Sequence, residues 1–413
     1  MSSGERRSIG VLAALAAAAL LLVPQGSRAQ YFGRNNVHYE DFDFHVLATE
    51  HFDVYYYGRE DSAAVAAGRM AERWYARHSR TIDHQLNGRQ PLVLYANQTD
   101  YNQTDIAQVA GSEGVTEPLR RRVVLFMEGP LAETDHVIGH ELVHAFQYDI
   151  SGIEPQTPLF GVPAMSGLPD WMVEGMAEYL SKGPRDPLTA TWVRDALRSK
   201  EVDLPSLRDL NNPYKYFPYR WGQALWAYIG GVWGDEAVGK VFKTAVRMGS
   251  PNGAIQSVLG IPADTLVARW HAAIHEAYGP LLDSTGQPED FGQKVIKGPG
   301  DVTYNVGPSL SPDGSKVVFM SERSRYSLDI YLADARTGDI IRQVTKTAVD
   351  PHFQSLEFEN SSGAWAPDGR RFALAAVSAG HPILTILDMD TGSKLKEIKF
   401  PDLGEIANPT WSP

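Results

Sequence analysis

The chain has 413 residues, room for two or three domains at roughly 150 residues each. Its 43% hydrophobic and 21% charged residues are ordinary globular usage, which excludes a disordered tail protein and a multi-span membrane protein. A net charge of −12 argues against a nucleic-acid partner, and with no cysteine any transition-metal site must be built from His, Asp and Glu.

Residues 1–29 read as a secretory signal. Arg6 and Arg7 precede an apolar run from Ile9 to Val23, Pro24 ends it, and Ala29 offers a small residue for cleavage before Gln30. The run is short for a membrane span of about 20 residues. The expectation is an exported chain, periplasmic or extracellular, with no stable membrane span.

Residues 30–150 alternate short strands and helices. His51 to Tyr57 alternates like a strand, Ser62 to Ser79 has apolar helical spacing with Asp61 as its cap, and Pro91–Tyr95 and Arg122–Met127 read as two more strands. Leu131 to Tyr148 reads as a helix with Thr134 or Asp135 near its start. Residues 151–283 are mostly helical: Trp171–Leu180 capped by Asp170, then Tyr219–Trp233, Asp235–Met248 and Pro262–Tyr278. Residues 284–300 read as a linker. From 301 the pattern turns to strands and turns that repeat. Ser311-Pro312-Asp313-Gly314 matches Ala366-Pro367-Asp368-Gly369 at an offset of 55, and Asp334 to Gly338 matches Asp388 to Gly392 at an offset of 54. A unit of this length with four strand-like runs reads as one blade of a β-propeller.

The sharpest signal is His140-Glu141-Leu142-Val143-His144. Positions four apart on a helix lie about 40° apart, so both imidazoles leave one face and suit two corners of a zinc site. Glu141 beside them can take a proton from a water on the metal. By chance, on the order of 0.02 such motifs would arise in a chain with 12 His. A third ligand is available from Glu174 or Glu178, again four apart, and set among Trp171, Met172, Val173 and Ala177, where a buried carboxylate needs a cation.

The run from His140 to His144, followed by Trp171, Glu174, Gly175, Ala177, Glu178 and Tyr179, resembles the gluzincin, or peptidase-MA-like, metallopeptidases. The resemblance covers about residues 40 to 280 and implies Glu174 as third zinc ligand, with Glu178 the fallback. The spacing of 30 residues from His144 to Glu174 is longer than in aminopeptidase-N-like enzymes. The repeats resemble a TolB-like propeller. The implied fold class is α+β: a zincin-like domain over 30–283, of mixed sheet and HExxH helix and then helical, followed over 301–413 by about two blades of an incomplete propeller.

Other residues stay open. His136 is four before His140 and is read as a surface or supporting residue. Tyr219 can donate a hydrogen bond to a tetrahedral intermediate, with Tyr214 and Tyr216 competing. Gln147 or Asp149 can orient a zinc-bound imidazole. Strand Arg122–Met127, with Arg120, Arg121 and Arg122 at its start, is either an edge that holds extended substrate, as the resemblance to zinc peptidases implies, or a charged strand end that discourages aggregation.

The resulting expectation is a zinc metallopeptidase with one Zn²⁺ on His140, His144 and Glu174, Glu141 as general base, and a peptide or protein substrate. The alternative is an envelope binding or scaffold protein whose propeller meets protein partners and whose zinc site is structural, closed by His136 or Glu178. Asn408 to Pro413 matches the run from Ser362 to Pro367 that leads into the second Asp-Gly turn. This predicts that 413 is the length of a piece cut inside the propeller.

Overall fold

The computed structural model describes residues 38–412, apart from 59, 105, 107–111, 128–129, 153–166, 200–201, 298–303, 325–326, 351–354, 357–360 and 402. The expected signal segment therefore lies outside the described residues. Among the described residues, no helix is long and apolar enough to cross a membrane.

The first part is built on a five-stranded sheet of β1 (Phe44–Ala48), β2 (Phe52–Tyr57), β3 (Gln90–Tyr95), β4 (Gly114–Glu117) and β5 (Arg122–Phe126), in spatial order β1-β2-β3-β5-β4. The pairs β2/β3 and β3/β5 are parallel, and β1 and β4 run antiparallel on the two edges. Parallel neighbours need a crossover, and helix α1 (Asp61–Ile82) supplies the one between β2 and β3. Strand alternation sends side chains to two faces. Leu92, Leu94, Val123 and Leu125 join the main core with α1 and α3 (Leu131–Ile150). Val93, Tyr95, Val124 and Phe126 face the other way, against Tyr101 of the short helix α2 (Gln98–Tyr101).

This topology corrects one expectation. Strand β5 is not an edge: it is paired on both sides, and the edge beside α3 is β4, which sequence reading missed. The arginines at its start are paired internally. Arg120 and Arg122 meet Glu117, and Arg121 meets Asp149.

The helical part contains α4 (Asp170–Lys182), α5 (Pro187–Ala196), α6 (Pro218–Trp233), α7 (Asp235–Met248), α8 (Pro251–Leu259), α9 (Ala263–Leu282) and the short α10 (Pro288–Phe291). Asp170 is the first residue of α4 rather than its cap, and Asp61 likewise opens α1 without capping it. Helices α4 and α6 touch backbone to backbone. A Cβ added at Gly175 would fall inside the Gly222 backbone, and one at Gly222 inside the Trp171 carbonyl. Trp226 Nε1 donates to Met172 O at 3.1 Å, and Tyr179 Oη donates to Asp235 at 2.6 Å, so α4 is clamped along its length. Trp171, Trp221, Trp226 and Trp270 are fully buried here.

From residue 305 the chain forms two consecutive antiparallel sheets. The first is β6 (Asn305–Leu310), β7 (Lys316–Ser321), β8 (Asp329–Asp334) and β9 (Ile340–Gln343), in that order. The second runs β10 (Ser355–Leu356), β12 (Arg371–Ser378), β13 (His381–Asp388) and β14 (Lys394–Lys399), with β11 (Ala364–Trp365) also on β12. They do not close a barrel or ring among the described residues. The repeated motifs have repeated geometry. Gly314 N donates to Ser311 O and Gly369 N to Ala366 O, with φ of +71° and +68°. Asp334 and Asp388 each accept two backbone N–H bonds from the turn that follows. The sheets repeat a cross-contact too: Trp365 Nε1 donates to Ser309 O, and Trp411 Nε1 to Ala364 O, both at 3.0 Å. The segment after β14 meets the first part through Thr99, whose hydroxyl donates to Gly404 O at 3.2 Å.

Candidate metal centre

Helix α3 carries His140, Glu141 and His144 on its buried side. Its close seat follows from Gly139, where a Cβ would stand 2.7 Å from the indole of Trp74. Helix α4 brings Glu174 across from it. His140 Nε2 and His144 Nε2 are 3.1 Å apart, and Glu174 Oε2 lies 3.4 Å from the first and 3.2 Å from the second. Three ligand atoms thus converge on one point. Glu174 Oε2 is buried and accepts no hydrogen bond. Its carboxyl is held far below the usual range: burial opposes its charge, but the imidazoles of His144 and His140 outweigh it.

The opposite ring nitrogens are anchored. His140 Nδ1 lies 3.0 Å from Glu178 Oε1, and His144 Nδ1 lies 2.8 Å from Gln147 Oε1. An Nδ1–H donating to these oxygens leaves each Nε2 lone pair free for a cation. Gln147 Nε2 in turn donates to Val173 O at 3.0 Å, tying the histidine helix to the residue before Glu174. Of the two open orienting candidates, Gln147 therefore meets an imidazole of the centre, while Asp149 pairs with His84 and Arg121. Glu178 faces the Nδ1 side of His140, with His136 Nε2 at 3.3 Å and Arg220 Nη1 at 3.0 Å. These give a second possible metal group, His136, His140 and Glu178, which shares His140 with the first.

Glu141 sits against the edge strand. Thr116 Oγ1 donates to Glu141 Oε2 at 2.6 Å and lies 2.8 Å from its carbonyl oxygen. Gly114 makes the approach possible, since a Cβ there would come within 3.1 Å of Glu141 Cγ. Tyr219, at the start of α6, stacks on His140 with ring centroids 5.7 Å apart and planes 9° from parallel. Burial, with the Glu174 carboxylate nearby, holds its hydroxyl far above the usual phenol range, so it stays a donor. Tyr214 is fully exposed, and Tyr216 is buried against Trp221.

Sequence reading missed three contributors. Tyr148, one turn beyond His144, tilts against its ring at 6.4 Å, and burial raises its hydroxyl to about 12. The i, i+4 spacing was available as a signal. Thr116 and Arg220 gave none, because their roles depend on which strand is the edge and where α6 crosses. Two cavities of about 470 and 480 Å³ lie elsewhere, and neither is lined by His140, His144 or Glu174.

No family model matches the chain, and no curated protein matches it. Among solved structures it is similar to the β-propeller domain of the Trilobed protease from Pyrococcus furiosus, at 20% identity and a TM-score of 0.18, covering 25% of this chain and 30% of that one. It is also similar to the acylaminoacyl peptidase of Pyrococcus horikoshii, at 17% identity and a TM-score of 0.19, over 25% of this chain and 18% of that one. TolB from Acinetobacter baumannii is similar at 22% identity and a TM-score of 0.19, over 24% of this chain and 21% of that one. The chain thus spans less than two fifths of each of these proteins, and its own geometry has to carry any functional reading.

Proposed function

We propose that this chain is an exported zinc-dependent peptidase, with His140, His144 and Glu174 holding one Zn²⁺. One observation carries the reading: a buried carboxylate oxygen, Glu174 Oε2, faces two imidazole Nε2 atoms and accepts no hydrogen bond. A buried carboxylate oxygen that accepts no hydrogen bond is costly, and a cation between these atoms removes the cost. Two imidazoles and a carboxylate are a donor set suited to zinc. Zinc there would polarise a carbonyl and lower the pKa of a water from about 15.7 to near 7.

The chain's own residues supply the rest. Glu141, held by Thr116, accepts the proton of the attacking water and passes it to the leaving amine. The Tyr219 hydroxyl donates to the developing oxyanion. The edge of β4, unpaired with any further strand among the described residues, offers backbone groups to an extended peptide, a form of strand addition. A purely structural site would be closed by a fourth protein ligand. Of the two candidates for that, Glu178 lies by Nδ1 of His140 rather than Nε2, and His136 pairs with that same Glu178 oxygen at 3.3 Å, which favours the enzyme over the scaffold reading. The sheets after residue 305 are read as propeller blades that meet a protein partner or substrate, and export to the periplasm or beyond rests on residues 1–29.

Metal analysis and peptide cleavage test this together. The expected results are one zinc per chain, lost in His144→Ala, and cleavage abolished in Glu141→Gln with zinc retained. Cleavage that survives Glu141→Gln overturns the mechanism.

A further inference from the structure

Helix α5 exposes its largest apolar side chains. Leu188 is 56% and Trp192 44% exposed, four residues apart on one face, while Thr189, Val193 and Ala196 fill the buried face. Asp186 caps this helix by accepting from Thr189 N at 2.7 Å, and Arg220 reaches Asp186 at 3.3 Å, which fixes α5 beside the start of α6. There Phe217, 41% exposed, stands 5.8 Å from the Trp192 ring. Phe217 stacks on Tyr219 at 5.0 Å and 24°, and Tyr219 stacks on His140. Three ring contacts therefore run without a break from a solvent-exposed tryptophan to an imidazole of the metal centre.

A contiguous exposed apolar patch on a water-facing surface marks a binding site. Here its inner end is the residue that would donate to the reacting carbonyl, so whatever covers the outer end is joined to the group being cleaved. We infer that Trp192, Phe217 and Leu188 form a subsite for a bulky apolar side chain, Phe, Leu or Trp, of a peptide near its scissile bond. This rests on the peptidase reading and names its substrate class. Aromatic walls receive apolar side chains by desolvation and ring stacking at little entropy cost to themselves. An acidic or small side chain gains nothing from them.

The test reads binding, so that it stands apart from cleavage. Blocked alanine hexapeptides, either all alanine or carrying one Phe or one Asp at each position in turn, are titrated calorimetrically into zinc-loaded Glu141→Gln protein. The best Phe peptide is expected to bind about tenfold tighter than the all-alanine peptide. Adding Trp192→Ala or Phe217→Ala should shrink that preference to within about twofold. Trp192→Phe should restore most of it. No preference for Phe, a preference that survives both alanine variants, or no binding of any peptide overturns the subsite. Failure of the peptidase reading has a different signature: selective binding with no cleavage by the unsubstituted protein.

Discussion

Glu178 Oε1 lies 3.0 Å from Nδ1 of His140, on the other side of the imidazole from Glu174. Two carboxylates four residues apart thus grip one ring from opposite nitrogens, and in the proposed zinc site one is a ligand and the other an orienting acceptor. Their losses should differ. Orienting partners are worth about 10–100-fold in metal affinity, so Glu178→Ala should weaken zinc binding by that factor and keep one site per chain. Glu174→Ala should abolish stoichiometric binding. Chelator competition measures both, and the reverse order would exchange the two roles.

Thr116 holds the proposed base through a 2.6 Å bond to Glu141 Oε2. Thr116→Val keeps the shape of the side chain and removes the donor. Zinc content should be unchanged, while kcat for peptide cleavage falls about tenfold or more with little change in KM, since a positioned base contributes about 10²–10⁴-fold. An unchanged kcat would free Thr116 of any part in catalysis.

Gly175 and Gly231 make a matched pair. Both are helical, but a Cβ at Gly175 strikes the Gly222 backbone, whereas one at Gly231 meets nothing within 4 Å. Gly175→Ala should cost about 1–3 kcal/mol or more through overpacking. Gly231→Ala should gain about 0.5–1 kcal/mol from the lower entropy of the unfolded chain. Urea denaturation of both variants reads the opposite signs directly.

The histidine pair was legible because a local helical period of 3.6 fixes which side chains share a face, and no distant contact alters it. The same reasoning found Glu174 and Glu178 together, yet could not assign them. They meet opposite nitrogens of His140, and that depends on how α4 crosses α3. The edge strand was misread for a related reason. Arg122–Met127 precedes α3 in the chain, but order along the chain is not order in the sheet, and four-residue β4 is too short to announce itself by alternation. Gly175 looked like any helix glycine until the Gly222 backbone stood against it. The Asp-Gly turns were read correctly, because Gly314 and Gly369 need only their own positive φ.

Zinc uptake should release protons. In the metal-free chain, burial opposes charge on His140, but the carboxylates of Glu174 and Glu178 on its two sides outweigh it and raise the imidazole to about 10. Its folded value lies above the ordinary 6.5, so this stabilisation is fully present below pH 6.5 and is lost as pH rises through about 10. His144 is raised in the same direction. At pH 8 His140 therefore holds a proton that zinc must displace, since only the neutral imidazole is a ligand. Calorimetric titration of zinc in two buffers of different ionisation enthalpy should give different heats, corresponding to about one proton released per ion. Equal heats would mean that the imidazoles are already neutral.

The repeated tryptophan contact predicts a local unit of stability in the second half of the chain. Trp365 Nε1 donates to Ser309 O in the sheet before it, as Trp411 Nε1 donates to Ala364 O. Trp365 also packs edge-on against Phe372, with centroids 5.7 Å apart, and belongs to the core that spans both sheets. Trp365→Phe removes the donor and leaves the Ser309 carbonyl without that partner, which should cost about 1–2 kcal/mol. The loss should fall on the sheets after residue 305 alone, because the metal centre belongs to a separate core. Hydrogen exchange should therefore speed up in β6, β11 and β12 while protection of α3 and α4, and zinc affinity, stay as they were. Faster exchange spread evenly over both halves would show instead that the two parts unfold as one unit.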